Sequence, residues 1–126
     1  RLEIKGKSQA TQGTKDYRPW GWFESLILSQ NYQVKVLHIY PKSRLSLQSH
    51  KFRSEHWVVV EGEALVRVGD TTFILPANSS TFIKAGQKHF LSNETAESLI
   101  VVEVQTGSYL GEDDIIRYDD IYGRTN

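Results

Sequence analysis

The chain of 126 residues contains no cysteine. Disulfides, thiolate nucleophiles and cysteine-ligated zinc fingers are therefore excluded. Methionine is absent too, even from position 1. That absence is expected of a domain cut from a longer protein, and equally of a removed initiator. Excess charge of one sign is also missing, because fifteen basic residues balance fifteen acidic ones. The balance argues against a nucleic acid or another polyanion as a general partner. No apolar run approaches the ~20 residues of a membrane-spanning helix. No membrane partner is expected, and the expected location is the cytoplasm. What remains is a globular composition, 39% hydrophobic and 24% charged, at about the length of one domain.

The segment from Arg1 to Asp16 is polar, with Gly6 and Gly13, and reads as a linker or N-terminal arm. The folded domain is expected over 17–126. From Tyr32 onward the apolar period is mostly two. Val34, Val36 and His38 alternate with Lys35, Leu37 and Ile39, and Pro41-Lys42-Ser43 breaks the run. Leu45 and Leu47 alternate with Ser46 and Gln48. Trp57 to Val60 is a β-branched run ending at Glu61-Gly62, and Ala64 to Val68 stops at Gly69-Asp70, a hairpin signal. Thr72 to Leu75, Thr81 to Ile83 and Leu99 to Val104 complete the set. Many short strands with frequent turns predict an all-β antiparallel sandwich or barrel. Two helices are expected beside them. Gly111-Glu112-Asp113-Asp114 puts acids where a helix N-terminus favours them. Ile115, Ile116 and Tyr118 would then cover one end of the barrel, and Gly123 would stop the chain. A second short helix is expected around Phe23 to Leu28.

The chemistry starts at Gln48-Ser49-His50. Residues two apart on a strand share a face, so Gln48 and His50 can enter one cavity. Glu55 follows after a tight turn, and His89 lies far along the chain. Two imidazoles, a carboxylate and an amide oxygen suit a divalent ion of intermediate hardness. The ligands carry a formal charge of −1, so a dication leaves the site positive and favourable to an anionic substrate. The plainer alternative is that these are ordinary surface or core residues. That alternative is preferred for His38 and His56, the latter next to Glu55 and hence on the opposite strand face.

The stretch from Lys42 to Gly62 resembles the first cupin motif, with His50, Glu55 and Gly62 in register. Lys42 and Gln48 replace that motif's first Gly and first His. The stretch from Asn78 to Asn93 resembles the second motif through Gly86, His89 and Asn93, with Asn78 and Lys84 replacing a Gly and a Pro. A narrower resemblance runs from about Tyr17 to Arg124. Arg18-Pro19-Trp20-Gly21, Leu45 to His50, Arg53 to Val60, Glu103 to Ile115 and Ile121 to Arg124 look like blocks of the type II mannose-6-phosphate isomerases.

That resemblance implies a small jelly-roll cupin barrel, a double-stranded β-helix. It implies interconversion of mannose 6-phosphate and fructose 6-phosphate through an enediol or enediolate. It implies Gln48, His50, Glu55 and His89 as metal ligands and zinc as the ion, other divalent ions staying open. In that family the domain is commonly linked to a mannose-1-phosphate guanylyltransferase, whose Gly-rich nucleotide signature is absent from this chain. Strand parity then supplies further candidates. Lys35 shares a face with Leu37 and Ile39, and Glu103 with Val101 and Gln105. If the apolar members face inward, Lys35 and Glu103 do too, and buried charges cluster at active sites. Glu103 is expected to transfer the proton with Lys35 beside it; the alternative is a structural ion pair between them. Arg117 matches the family's arginine after the acidic block and is expected to stabilise transition-state charge or bind phosphate. Arg53 is a second candidate for the phosphate. Trp20, Trp22 and Trp57 are expected to pack rather than to stack on sugar. Outward-facing Val58 and Val60 could pair two copies. Two other functions remain open: a non-catalytic cupin that binds a sugar phosphate or mediates assembly, and an epimerase-type cupin.

Overall fold

The computed structural model describes residues 9–10 and 14–119. Thirteen strands make two antiparallel sheets. In chain order they are β1 (Gln9–Ala10), β2 (Asp16–Arg18), β3 (Gly21–Leu28), β4 (Tyr32–Ile39), β5 (Ser43–Arg44), β6 (Gln48–Ser49) and β7 (Arg53–Glu61). Then follow β8 (Glu63–Val68), β9 (Thr71–Pro76), β10 (Ser80–Ile83), β11 (His89–Asn93), β12 (Leu99–Gly107) and β13 (Ile116–Arg117). The larger sheet runs β1-β3-β4-β12-β7-β10, with β2 on β3. The smaller runs β13-β6-β11-β8-β9, with β5 on β11. This is the all-β cupin barrel. Gly69-Asp70 closes the β8–β9 hairpin as a two-residue loop.

Neither expected helix forms, and among the described residues there is none. Phe23 to Leu28 is strand because its residues alternate across β3. Gly21 and Phe23 are buried while Trp22 and Glu24 are less so. Gly21 (φ 156°) lies so close to β4 that a Cβ there would meet the His38 carbonyl oxygen. The stretch after Gly111 is a turn followed by β13, which pairs with β6. Its acids are drawn into tertiary contacts rather than left to cap a helix. Gly123 lies outside the described residues. Among the described residues no helix is long and apolar enough to cross a membrane.

Alternation carries the core. Thirteen apolar side chains, among them Ile39, Val59, Leu91, Leu99 and Val101, are buried between the sheets. Each of the larger ones contributes roughly 1.5–3 kcal/mol by leaving water. Val58 and Val60 point outward and are exposed, as is His56, which packs against Phe82. His38 stacks on Trp22 with ring centroids 3.6 Å apart.

The inward face of the larger sheet changes character along the barrel axis. Register places Leu99 opposite Ile39, then Val101 between Leu37 and Val59. The next row is Lys35, Glu103 and Trp57, and the next is Gln33, Gln105 and Glu55. An apolar floor thus gives way within two residues of each strand to a buried polar mouth.

Two turns keep the cupin geometry without the cupin residues. Lys42 has φ 59° and Asn78 φ 73°, the two positions where the motifs carry glycine. Asn accepts this region readily, whereas Lys does so at a cost. Lys42 is held there by its amide on Thr95 O (3.2 Å) and its Nζ on Glu94 O (2.6 Å). Lys84, in place of a proline, uses the amide a proline would lack, donating to Gln87 Oε1 at 2.9 Å.

Candidate metal centre

The polar mouth opens into a cavity that is continuous with solvent. On β7 and the bend before it, His50 and Glu55 are 4% and 2% exposed. His89 begins β11 and is 2% exposed. The three offer donor atoms that all lie within 4.8 Å of one another. The loop preceding His89 is tied to the other ligand segment, because Gly86 N donates to His50 O at 2.7 Å.

Both imidazoles are set for coordination by their far nitrogens. His50 Nδ1 lies 2.6 Å from Asp114 O, and His89 Nδ1 lies 3.0 Å from Gln87 O. A carbonyl only accepts, so each Nδ1 carries the proton and each Nε2 keeps its lone pair. Burial, helped by the Arg53 cation, lowers the His50 pKa to about 4. Burial also lowers that of His89. Two neutral imidazoles and a carboxylate are a donor set that fits a divalent ion such as zinc. Gln48 lines the same cavity and lies opposite His89 in register. Its Nε2 donates to Ser46 O at 3.2 Å, which leaves Oε1 as the end suited to a metal.

Glu55 also serves other partners. One oxygen accepts from Arg53 Nε at 2.9 Å and the other from Trp57 Nε1 at 2.9 Å. Arg53 Nη2 lies 3.2 Å from His50 Nε2. The Trp57 indole N–H is shared, reaching Glu103 Oε2 at 3.0 Å as well. Glu103 Oε1 accepts from Gln105 Nε2 at 2.7 Å. Burial, then the neighbouring Glu55 charge, pushes the Glu103 carboxyl up to about 7. Lys35, 5% exposed, faces Glu103 in register, but its Nζ bonds Glu112 Oε2 at 2.5 Å and lies 4.4 Å from the Phe23 ring centre. The alternative reading, a structural Lys35–Glu103 ion pair, gives way to a Lys35–Glu112 pair. Burial alone would raise the Glu112 carboxyl, yet the Lys35 cation and its hydrogen bond hold it below its ordinary value.

All the candidate residues converge: Gln48, His50, Glu55, His89, Glu103, Lys35, Arg53 and Arg117 all line this one cavity. Arg117 reaches it from β13, opposite Gln48. Four cations, namely Arg18, Lys35, Arg53 and Arg117, face three carboxylates, Glu55, Glu103 and Glu112. The wall carries more positive than negative groups before any ion is added.

Sequence reasoning missed the supports. Trp57 packs in the core as expected, but its N–H bridging two carboxylates was not foreseen. Its parity with Glu55 was the available signal. Each consecutive acid of the 112–114 run has its own partner: Glu112 takes Lys35, Asp113 takes the Tyr109 hydroxyl, and Asp114 takes the amides of Lys51 and Phe52. Only the Tyr109–Asp113 contact is local, and no spacing in the sequence announces the long-range contacts of Glu112 and Asp114.

Residues 5–120 match the family described as "Mannose-6-phosphate isomerase C-terminal". The xanthan biosynthesis protein XanB of Xanthomonas campestris pv. campestris (strain B100) is 48% identical over 98% of this chain and 27% of its own length. The mannose-1-phosphate guanylyltransferase ManC of Salmonella typhimurium is 40% identical over 98% of this chain and 26% of its own. The chain therefore spans about a quarter of the length of these curated relatives. Among solved structures, an RmlC-like cupin from Shewanella frigidimarina superposes with a TM-score of 0.71 at 19% identity. It covers 81% of this chain and 88% of its own. At that identity the likeness shows the fold alone.

Proposed function

We propose, for a chain that belongs to the mannose-6-phosphate isomerase C-terminal family, that the cavity interconverts mannose 6-phosphate and fructose 6-phosphate with a divalent ion, zinc first among the candidates. One observation carries this reading. The His50/Glu55/His89 cluster shares its cavity with a second buried carboxylate, Glu103, joined to Glu55 through one indole N–H. Gln48, His50, Glu55 and His89 would hold the ion. When bound, it supplies Lewis-acid polarisation of the sugar's carbonyl and hydroxyl oxygens.

The remaining chemistry belongs to the chain. A proton leaves C2 of the open-chain aldose and returns at C1, and we assign that transfer to the Glu103 carboxylate. It sits in a water-poor wall, with Trp57 and Gln105 each donating to one oxygen, so its orientation is fixed before substrate arrives. Lys35 faces it across the sheet and offsets negative charge on the enediolate. Arg53 sits against Glu55 and His50 and is assigned to charge near the reacting carbons or to the phosphate. Arg117, opposite Gln48 on the smaller sheet, is assigned to the phosphate or to transition-state charge. The positive balance of the wall suits a phosphate ester.

The quarter-length span against relatives, one of them named a guanylyltransferase, supports a second reading. In it this domain is linked to a nucleotidyltransferase in a soluble, cytoplasmic, bifunctional protein and binds sugar phosphate or aids assembly without catalysis. An isomerase assay on the chelated protein, repeated with zinc and other divalent ions, separates the two. Metal-restored turnover supports catalysis by this domain. A folded protein inactive with every ion leaves the binding role.

A further inference from the structure

The segment from Gly111 to Asp119 lies across the strand that carries the first ligands. Tyr118 N donates to Leu47 O at 2.7 Å, and Asp119 Oδ1 accepts from Leu47 N at 2.9 Å. Ile116 and Arg117 pair with Ser49 and Gln48. Ser49 Oγ and the Tyr118 hydroxyl are 2.9 Å apart. At the other end Asp114, 9% exposed, makes the closest approach to the centre. Its carboxylate accepts from Lys51 N at 2.8 Å and Phe52 N at 2.9 Å, the two amides just past His50. Its own carbonyl then lies 2.6 Å from His50 Nδ1.

We infer that Asp114 is a positioning residue of the metal centre: its carboxylate locks the strap to the turn after His50, and its carbonyl thereby fixes the His50 proton on Nδ1. The inference rests on the metal-dependent reading above. Its physical basis is that a neutral imidazole coordinates through the nitrogen that carries no proton, and an acceptor on the other nitrogen fixes which one that is and how the ring is oriented. A free histidine in water samples both tautomers and many orientations, and selecting the competent one lowers affinity. The strap also carries Arg117 and Glu112 into the cavity. Docking of the strap and loading of the ion should therefore favour each other, since linkage is reciprocal. The amides of Lys51 and Phe52 have no helix or ladder of their own at this bend. The carboxylate is what holds the bend, and the bend is what presents His50.

The test uses three variants of the chain. Asp114→Ala removes the carboxylate. Asp114→Asn keeps the shape but turns one acceptor into a donor facing an amide. Tyr109→Phe removes a strap contact, the 2.5 Å bond to Asp113, that does not touch His50. Zinc affinity is measured by calorimetry, and the His50 tautomer by long-range proton–nitrogen NMR in chelator. The expectation is a loss of zinc affinity on the order of 10–100-fold in Asp114→Ala. A smaller loss is expected in Asp114→Asn, and none in Tyr109→Phe. His50 should hold its proton on Nδ1 in the wild type and Tyr109→Phe, and become a tautomer mixture in both Asp114 variants. If Asp114→Ala fails to fold, Asp114→Asn decides by the same two readouts. Wild-type affinity together with an unchanged tautomer in a folded Asp114 variant overturns the inference. If the wild type binds neither zinc nor another divalent ion, the reading of the previous subsection fails, and the tautomer spectra still decide the role of Asp114.

Discussion

Replacing Glu55 by glutamine tests how many tasks one buried carboxylate performs. The side chain keeps its volume, so no cavity forms. Its charge goes, and so does one of its two acceptors. In the native site each oxygen receives a donor, Arg53 Nε on one side and Trp57 Nε1 on the other. A carboxamide has one oxygen and one NH₂, so whichever way it turns, one donor meets a donor. That mismatch costs roughly 1–3 kcal/mol. Arg53, 8% exposed, also loses its nearest countercharge, and breaking a buried pair costs about 3–5 kcal/mol. Relief of the repulsion between Glu55 and Glu103 returns part of this. The net expectation is a loss of about 3–5 kcal/mol in chelator, or roughly 10–20 °C in melting temperature for a domain of this size. Urea denaturation with chelator and with zinc measures both consequences. The wild type should gain about 2.7 kcal/mol at zinc a hundredfold above its dissociation constant, and Glu55→Gln should gain nothing. A variant within about 1 kcal/mol of wild type in chelator would refute the donor-pair argument. One still stabilised by zinc would refute Glu55 as a ligand.

Further tests follow from other residues. Lys42→Gly should melt within about 2 °C of wild type or above it, because the φ of 59° suits glycine, while Lys42→Val should lose about 1–2 kcal/mol. Equal stability of the two would contradict the left-handed turn. The His38 imidazole, stacked on Trp22 and partly desolvated, has its pKa lowered below 6.5. Its contribution to stability is therefore present above pH 6.5 and lost as pH falls through the folded-state value; an NMR titration midpoint at or above 6.5 would contradict this. On the isomerase reading proposed above, Trp57→Phe, which still places an aromatic ring in the core, should lower kcat at least tenfold, since both carboxylates lose a shared donor. Unchanged turnover would remove Trp57 from the site. Gly21→Ala should fail to give soluble folded protein, because a Cβ there collides with the His38 carbonyl; a normal melting curve would contradict the close β3–β4 approach.

Much of this was legible because β-strands have a period of two. Lys35 and Glu103 could be placed inside simply by counting from Leu37 and Val101, and the buried row Lys35–Glu103–Trp57 follows the same count. His50, Glu55 and His89 met as their motif register implied. The misreadings share one cause. Gly111 to Asp114 has local features of a helix start, but Glu112 and Asp114 are recruited by Lys35 and the 51–52 amides, and such distant contacts leave no local trace. Phe23 to Leu28 has few turn residues, and pairing with β4 on one edge, and with Asp16 at one end and Gln9–Ala10 at the other end of its second edge, overrides its ambiguous local pattern. Lys42 and Asn78 show the converse: the residue changed while the backbone conformation stayed.

The graded interior has a consequence for how such barrels diversify. Its floor, Ile39, Leu99, Leu37, Val101 and Val59, asks only for apolar volume, which several residue combinations can fill. Its mouth asks for particular atoms at particular distances. The two demands fall on the same strands but on different rungs, so mutations on one rung leave the other's requirement unchanged. A lineage can then exchange its chemistry at the mouth while the floor goes on supplying the apolar core. A cupin that keeps this shape at 19% identity is the outcome such a division of labour permits.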